Sequence, residues 1–173
     1  MTQWTRELSA VQERVRAELR ALRSKVPGIT GSLVSTSDGM LVAHDFPAAD
    51  PARLAALVST AVGLVRQAVT ETGRGELHEA MAHGTSGYLL VYAAGDDAVV
   101  ALAASEQSQA ATMQAEIRQA VARITAYSSA FPAWSSIDRL TGNGNLSPED
   151  FRLGSVPGLG IKDLPARKSG YPI

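Results

Sequence analysis

The pattern of apolar and polar positions changes period several times along the chain. From Trp4 to Val26 the apolar residues are Trp4, Leu8, Val11, Val15, Leu19, Leu22 and Val26, in steps of three and four that predict an amphipathic helix. Its other faces carry Arg6, Glu7, Glu13, Arg14, Arg16, Glu18, Arg20, Arg23 and Lys25. A stripe of barely three heptads can serve a coiled-coil seam or a domain core, and the core is the better use at this length. Pro27 and Gly28 end it. The period then shortens: ITGSLVSTSDGMLVAHD, Ile29 to Asp45, holds two short apolar runs around Thr36-Ser37-Asp38-Gly39, a hairpin whose Asp-Gly pair tolerates positive φ.

Pro51 to Glu71, PARLAALVSTAVGLVRQAVTE, predicts a second helix that is apolar over far more than one stripe. At about 100° per residue, Leu64, Leu57, Ala68, Ala61, Leu54, Val65, Val58, Val69 and Val62 fill a continuous arc of roughly half the circumference, expected to face a sheet. Opposite lie Ala56, Ser59, Thr60, Gly63, Gln67 and Thr70, small and almost uncharged. That face is either a solvated surface low in charge or the seam of a homodimer, where small side chains let a second helix approach. Asp50 before Pro51 supplies the start and Gly73 the stop.

Three further strands follow, Arg74 to His83, Tyr88 to Ala94 and Ala98 to Ala104, separated by His83-Gly84-Thr85-Ser86-Gly87 and Gly95-Asp96-Asp97. The last two are almost continuously apolar and belong in the middle of a sheet covered on both faces. The first carries Glu76, His78 and Glu79 and belongs at an edge that needs pairing or cover. A third helix is expected from Ser105 to Tyr127, with Met113, Ile117, Val121 and Ile124 on one face, Ala110 and Ala120 beside them, and caps from Ser105 and Ser108. Beyond Ser128 the prolines 132, 148, 157, 165 and 172 break the pattern, so the chain divides into a domain over 1–128 and a Pro/Gly-rich tail over 129–173, partly disordered or docked. Trp134, Ile137, Leu140, Phe151 and Leu153 are the tail's candidates for docking on the domain or a partner.

Composition narrows the function. With 45% hydrophobic and 19% charged residues, the 173-residue chain can fill one aliphatic core. A net charge of -1 gives no field for a general nucleic-acid or anionic-membrane binder. The absence of cysteine excludes disulfides, thiolate chemistry and Cys-ligated metal. MTQWTREL has no apolar run resembling a signal peptide, and no uninterrupted apolar window approaches a membrane span, so the expectation is a cytoplasmic protein without direct membrane insertion.

The residues Pro27 to Ala43, PGITGSLVSTSDGMLVA, with Gly87-Tyr88-Leu89-Leu90-Val91-Tyr92 and Gly95-Asp96-Asp97-Ala98-Val99-Val100-Ala101-Leu102, resemble the opening hairpin and closing strands of the roadblock/LC7 (dynein light chain) family. The resemblance spans roughly residues 5 to 127 and rests on the order and spacing of the whole set. It implies an α+β, three-layer α/β/α, profilin-like fold: a five-stranded antiparallel sheet with the central helix on one face and the terminal helices on the other. It implies a homodimer in which central helices lie side by side and the third strands pair. The interface is expected at Ala56, Ser59, Thr60, Gly63, Gln67, Glu76, His78 and Ala80, and Arg66 and Gln67, on the exposed side of the central helix, are the candidates for partner contacts or for the same seam. Bacterial members resemble accessory subunits of small Ras-like GTPases, in some cases beside a sensor kinase, and the high Ala, Arg and Gly content resembles an actinobacterial chain of that kind. The tail departs from a minimal domain of this family.

No chemistry of the chain's own is expected. His44, His78 and His83 lack metal-site spacing. His83-Gly84-Thr85-Ser86-Gly87 lacks the spacing of a nucleophile elbow, and Gly154 to Gly160 lacks the Lys-Ser/Thr pair of a phosphate loop. Asn143-Gly144-Asn145 lacks the acidic spacing of a calcium loop. The expectation is a non-enzymatic, cofactor-free dimer that binds a small Ras-like GTPase and modulates its GTP hydrolysis or nucleotide cycle. The alternative is a scaffold linking a sensor kinase or polar assembly with no effect on GTPase rates. A small-molecule sensor would need a concave pocket with convergent polar groups, and the sequence offers no such cluster.

Overall fold

The computed structural model describes residues 3–47, 50–108 and 114–129, all within the first of the chain's two units, Met1–Ile137. The tail expected over 129–173 therefore lies, but for its first residue, outside the described residues, as do Ala110 and Met113. The elements are α1 (Gln3–Lys25), β1 (Ile29–Thr36), β2 (Leu41–His44), α2 (Pro51–Glu71), β3 (Glu79–Gly84), β4 (Gly87–Ala94), β5 (Ala98–Ser105) and α3 (Gln114–Ser129). All strands are antiparallel, in the order β2-β1-β5-β4-β3. The two most apolar strands, β4 and β5, do lie inside the sheet, and β3 forms an edge.

The sheet separates two cores because strand side chains alternate between its faces. On one face α1 places Val11, Val15, Leu19, Leu22 and Val26, and α3 places Ile117, Ala120, Val121 and Ile124, against Val34, Tyr92, Val100 and Leu102. The side chains of Trp4 and Leu8 lie outside the described set. On the other face Ala55, Val58 and Val62 of α2 meet Leu33, Val91, Val99 and Ala101. Among the described residues the first cluster holds 18 buried residues and the second 7, so α2 leaves more of its apolar surface unburied than the terminal helices do.

The ends of α2 follow from four residues. Asp50 accepts the Arg53 N–H through Oδ1 at 3.2 Å, and Pro51 occupies the first turn, where no N–H is needed. At the other end Gly73 takes φ +67°, its N–H donates to the Thr70 carbonyl at 2.9 Å, and the Arg74 N–H reaches back to the Val69 carbonyl at 3.0 Å, a Schellman closure.

Two expected boundaries move. Ser105 does not start a helix: it ends β5, opposite Gly87, and its N–H donates to the Gly28 carbonyl at 2.8 Å. Ser108 donates its hydroxyl to the Pro27 carbonyl at 3.2 Å, tying the β5 exit to the α1–β1 corner. The strand expected from Arg74 to His83 begins only at Glu79, because the Gly73 and Gly75 turns, both at positive φ, hold residues 74–78 out of the ladder except where the Ala93 N–H donates to the His78 carbonyl.

Candidate interaction surface

The face of α2 that meets the sheet is rotated by about a quarter turn from the expected arc. Ala55, Val58, Ser59 and Val62 are buried, whereas Leu57 and Leu64 are 59% and 66% exposed and Val65 is 38% exposed. Ala61 and Ala68 are exposed between them. The helix thus carries two apolar stripes that overlap in sequence, one spent on its own sheet and one facing out.

Ser59 explains the rotation and corrects its assignment to a dimer interface. It is only 5% exposed, and its hydroxyl donates to the Thr36 carbonyl at 2.9 Å while lying 2.9 Å from the Ser35 hydroxyl. A serine carries one hydroxyl hydrogen, so Ser35 donates to Ser59 and Ser59 to Thr36. The β1–β2 turn closes the same contact. Thr36 bonds the Asp38 carboxylate and accepts the Met40 N–H through its hydroxyl, and Gly39, at φ +96°, sits where an added Cβ would lie 3.1 Å from the Ala56 Cα. The turn is therefore a buttress against which α2 seats its small residues.

Of the other sequence-derived residues, Ala56, Thr60, Gly63 and Gln67 share one exposed flank, and a Cβ at Gly63 would meet nothing within 4 Å. Thr60 donates its hydroxyl to the Ala56 carbonyl at 2.9 Å and Thr70 to the Arg66 carbonyl at 3.0 Å, so this flank presents methyl groups more than hydroxyls. Glu76 and His78 are exposed on the connection before β3 rather than within the strand, and Ala80 is half-buried in β3 opposite Val91. Arg66 is half-buried and Gln67 exposed, about 100° apart on the helix, so the two do not point at one spot.

The sequence reading missed Leu57, Leu64 and Met81. The first two recur at seven residues with Ala61 and Ala68 between and after them, a helix-seam spacing hidden inside the wider arc. Met81, 66% exposed, stands on the opposite face of β3 from Ala80, and β3 has no neighbour on its outer side among the described residues. By length and composition alone α2 would pass for a membrane span, and only 22% of its most apolar 18 residues are buried. The bonds from Ser59 to β1 make it a layer of this fold, apolar on two sides.

Beyond α2, His83 stacks on Tyr88 with ring centroids 4.4 Å apart, closing the β3–β4 hairpin. Arg118 of α3 pairs with Glu79 of β3 at 3.3 Å. Beside them Tyr92 has its phenol pushed above the ordinary value of 10.0, first by burial and then by the Glu79 charge, against the opposing pull of Arg118. No three carboxylates or histidines among the described residues are placed to hold a metal ion.

Comparison with known proteins agrees with this architecture. The sequence profile of the Roadblock/LC7 domain matches residues 16–104. Two uncharacterized proteins of Methanocaldococcus jannaschii, MJ0310 and MJ1340, are each 35% identical over 80 residues, which cover 46% of this chain and 70% of theirs. Among solved structures, a Roadblock/LC7 domain from Streptomyces avermitilis superposes with TM-score 0.60 at 25% identity, covering 65% of this chain and 95% of that one. The gliding protein mglB from Thermus thermophilus shares the fold with TM-score 0.64 at 18% identity, covering 70% of this chain and 93% of its own. Myxococcus xanthus MglB shares it with TM-score 0.63 at 16% identity, over 68% and 97%. With its profile match over half the chain and the sheet order and helix layers described above, the chain belongs to the Roadblock/LC7 domain family.

Proposed function

We infer that the chain is a non-enzymatic regulatory subunit of the cytoplasm that works as a twofold dimer, binding a small Ras-like GTPase and modulating its GTP hydrolysis or nucleotide cycle. The observation that carries the reading is the outward stripe of α2, where Leu57 and Leu64 are mostly exposed with Ala61 between them. A contiguous apolar stripe in contact with water is a surface awaiting a partner. An isologous contact covers it on both copies at once. The open outer side of β3 supports the same arrangement, since an exposed edge strand is a template for pairing with its own symmetry mate.

The GTPase partner is supported by kinship: bacterial members of this family resemble accessory subunits of such proteins, and the fold is shared with proteins named MglB. In such a complex the GTPase supplies phosphate, magnesium and most catalytic groups, and a dimer acts by ordering switch loops. The test has two arms. Light scattering reads a dimer for the wild type and a folded monomer for Leu57→Asp with Leu64→Asp. Hydrolysis and nucleotide-release rates of a small Ras-like GTPase from the same genome change on adding the wild type. Unchanged rates without co-elution remove the GTPase and leave the dimer standing.

A further inference from the structure

Leu57 and Arg66 are nine positions apart, which at about 100° per residue is two and a half turns, so the two side chains leave α2 on opposite flanks. On the Arg66 side lies a cleft of about 320 Å³ between α2, the connection into β3 and the β4–β5 turn. Arg66 stands on one wall, Glu76 and His78 on the second and Asp96 on the third, with Leu77, packed into the α2-side core, lining it as well. None of the four ionisable side chains has a hydrogen-bond or ion-pair partner among the described residues. The sequence hides this convergence, because the residues come from three separate segments.

The mixture of charge decides what fits. A metal ion would face Arg66, and the carboxylates and histidine are not grouped to hold one. A simple anion would face Glu76 and Asp96. A ligand bearing both charges satisfies both walls, each through a charge-assisted contact. The connection at 74–78 leads into the edge strand β3 and, but for the His78 carbonyl that accepts the Ala93 N–H, makes no ladder bonds, so its backbone groups can pair with another chain.

We propose that this cleft receives an extended peptide segment of a partner protein carrying a basic and an acidic side chain two residues apart. In an extended chain such residues lie on one face, about 6.6 Å apart. The base meets Glu76 and Asp96, and the acid meets Arg66. Because Leu57 and Arg66 lie on opposite flanks, and residues 74–78 precede the Glu79–Gly84 strand whose edge the twofold pairing uses, the segment leaves both parts of the twofold contact free. The inference goes beyond the GTPase reading, since it concerns whichever protein carries the segment.

The test is an NMR titration of the isotope-labelled full chain with the blocked pentapeptide Gly-Lys-Gly-Glu-Gly, and with two controls in which glutamine replaces either the lysine or the glutamate. The expected result is saturable shifts confined to residues 66–70, 74–78 and 93–96, with each control bound about tenfold more weakly, the loss expected for one charge-assisted contact. In Arg66→Gln, whose spectrum first establishes that it is folded, the glutamate peptide and its glutamine control become equal. Three peptides that bind alike, shifts spread over the charged surface of α1, or shifts that fail to saturate each overturn the proposal.

Discussion

The hydroxyl oxygens of Ser35 and Ser59 lie 2.9 Å apart across the contact between β1 and α2, and the relay continues from Ser59 to the Thr36 carbonyl. Ser59→Ala strands the buried Ser35 hydroxyl and takes one of two donors from the Thr36 carbonyl, which keeps the Gly39 N–H at 3.0 Å. The expected loss of unfolding free energy in urea is about 1 to 3 kcal/mol, the cost of leaving such a group unpaired. Solution mass at fixed concentration should stay unchanged, because Ser59 faces inward. A Ser59→Ala protein of wild-type stability but lower mass would return Ser59 to the interface.

Leu64→Ala should do the reverse. The side chain is largely exposed in the subunit, so its truncation leaves subunit unfolding nearly untouched. In a twofold contact it removes about 2 kcal/mol of apolar burial from each copy, about 4 kcal/mol in all, and the dissociation constant rises by roughly three orders of magnitude. Sedimentation equilibrium across a dilution series reads this directly.

Two glycines separate an open position from a closed one. A Cβ at Gly63 meets nothing within 4 Å, so Gly63→Ala should stabilise the helix by about 0.5 to 1 kcal/mol in urea unfolding. Gly87 holds φ +143°, and an added Cβ would lie 2.2 Å from the Ala104 carbonyl oxygen, a backbone atom that cannot step aside. Gly87→Ala should cost about 3 kcal/mol by the same assay, through strain and overpacking in the sheet interior. A loss of dimer mass in Gly63→Ala would move the seam to the small-residue flank.

Tyr92 sets an alkaline limit on stability. Its phenol is held above the unfolded value of 10.0 by burial first and the Glu79 charge second, so the folded state favours the protonated form. That contribution is fully present below pH 10.0 and is lost as pH rises through the higher folded value. Urea midpoints measured from about one unit below to about one and a half units above the ordinary phenol value should fall more steeply for the wild type than for Tyr92→Phe. Arg118→Ala removes the opposing charge and should raise the phenol's titration further, read by the ultraviolet absorbance of the phenolate.

What the sequence determined by itself was everything carried by local period and punctuation. The three-and-four spacing of Val11, Val15, Leu19 and Leu22 fixed a helix and its buried face, since a single stripe leaves one choice. Asp50-Pro51 and Gly73 fixed both ends of α2, and Asp38-Gly39 the hairpin turn, because caps and positive φ depend on the residues themselves. The continuous apolarity of β4 and β5 placed them inside the sheet. Only the tertiary structure decided which part of the wide α2 arc meets the sheet. An arc of about half a helix exceeds what one sheet face can cover, so the choice fell to contacts between distant segments: the Ser35 and Thr36 groups that draw Ser59 inward, and the β1–β2 turn that fits Ala56. The same holds for the cleft, where Arg66, Glu76 and Asp96 meet because α2 crosses the sheet beside the β4–β5 turn, a proximity that no local pattern encodes.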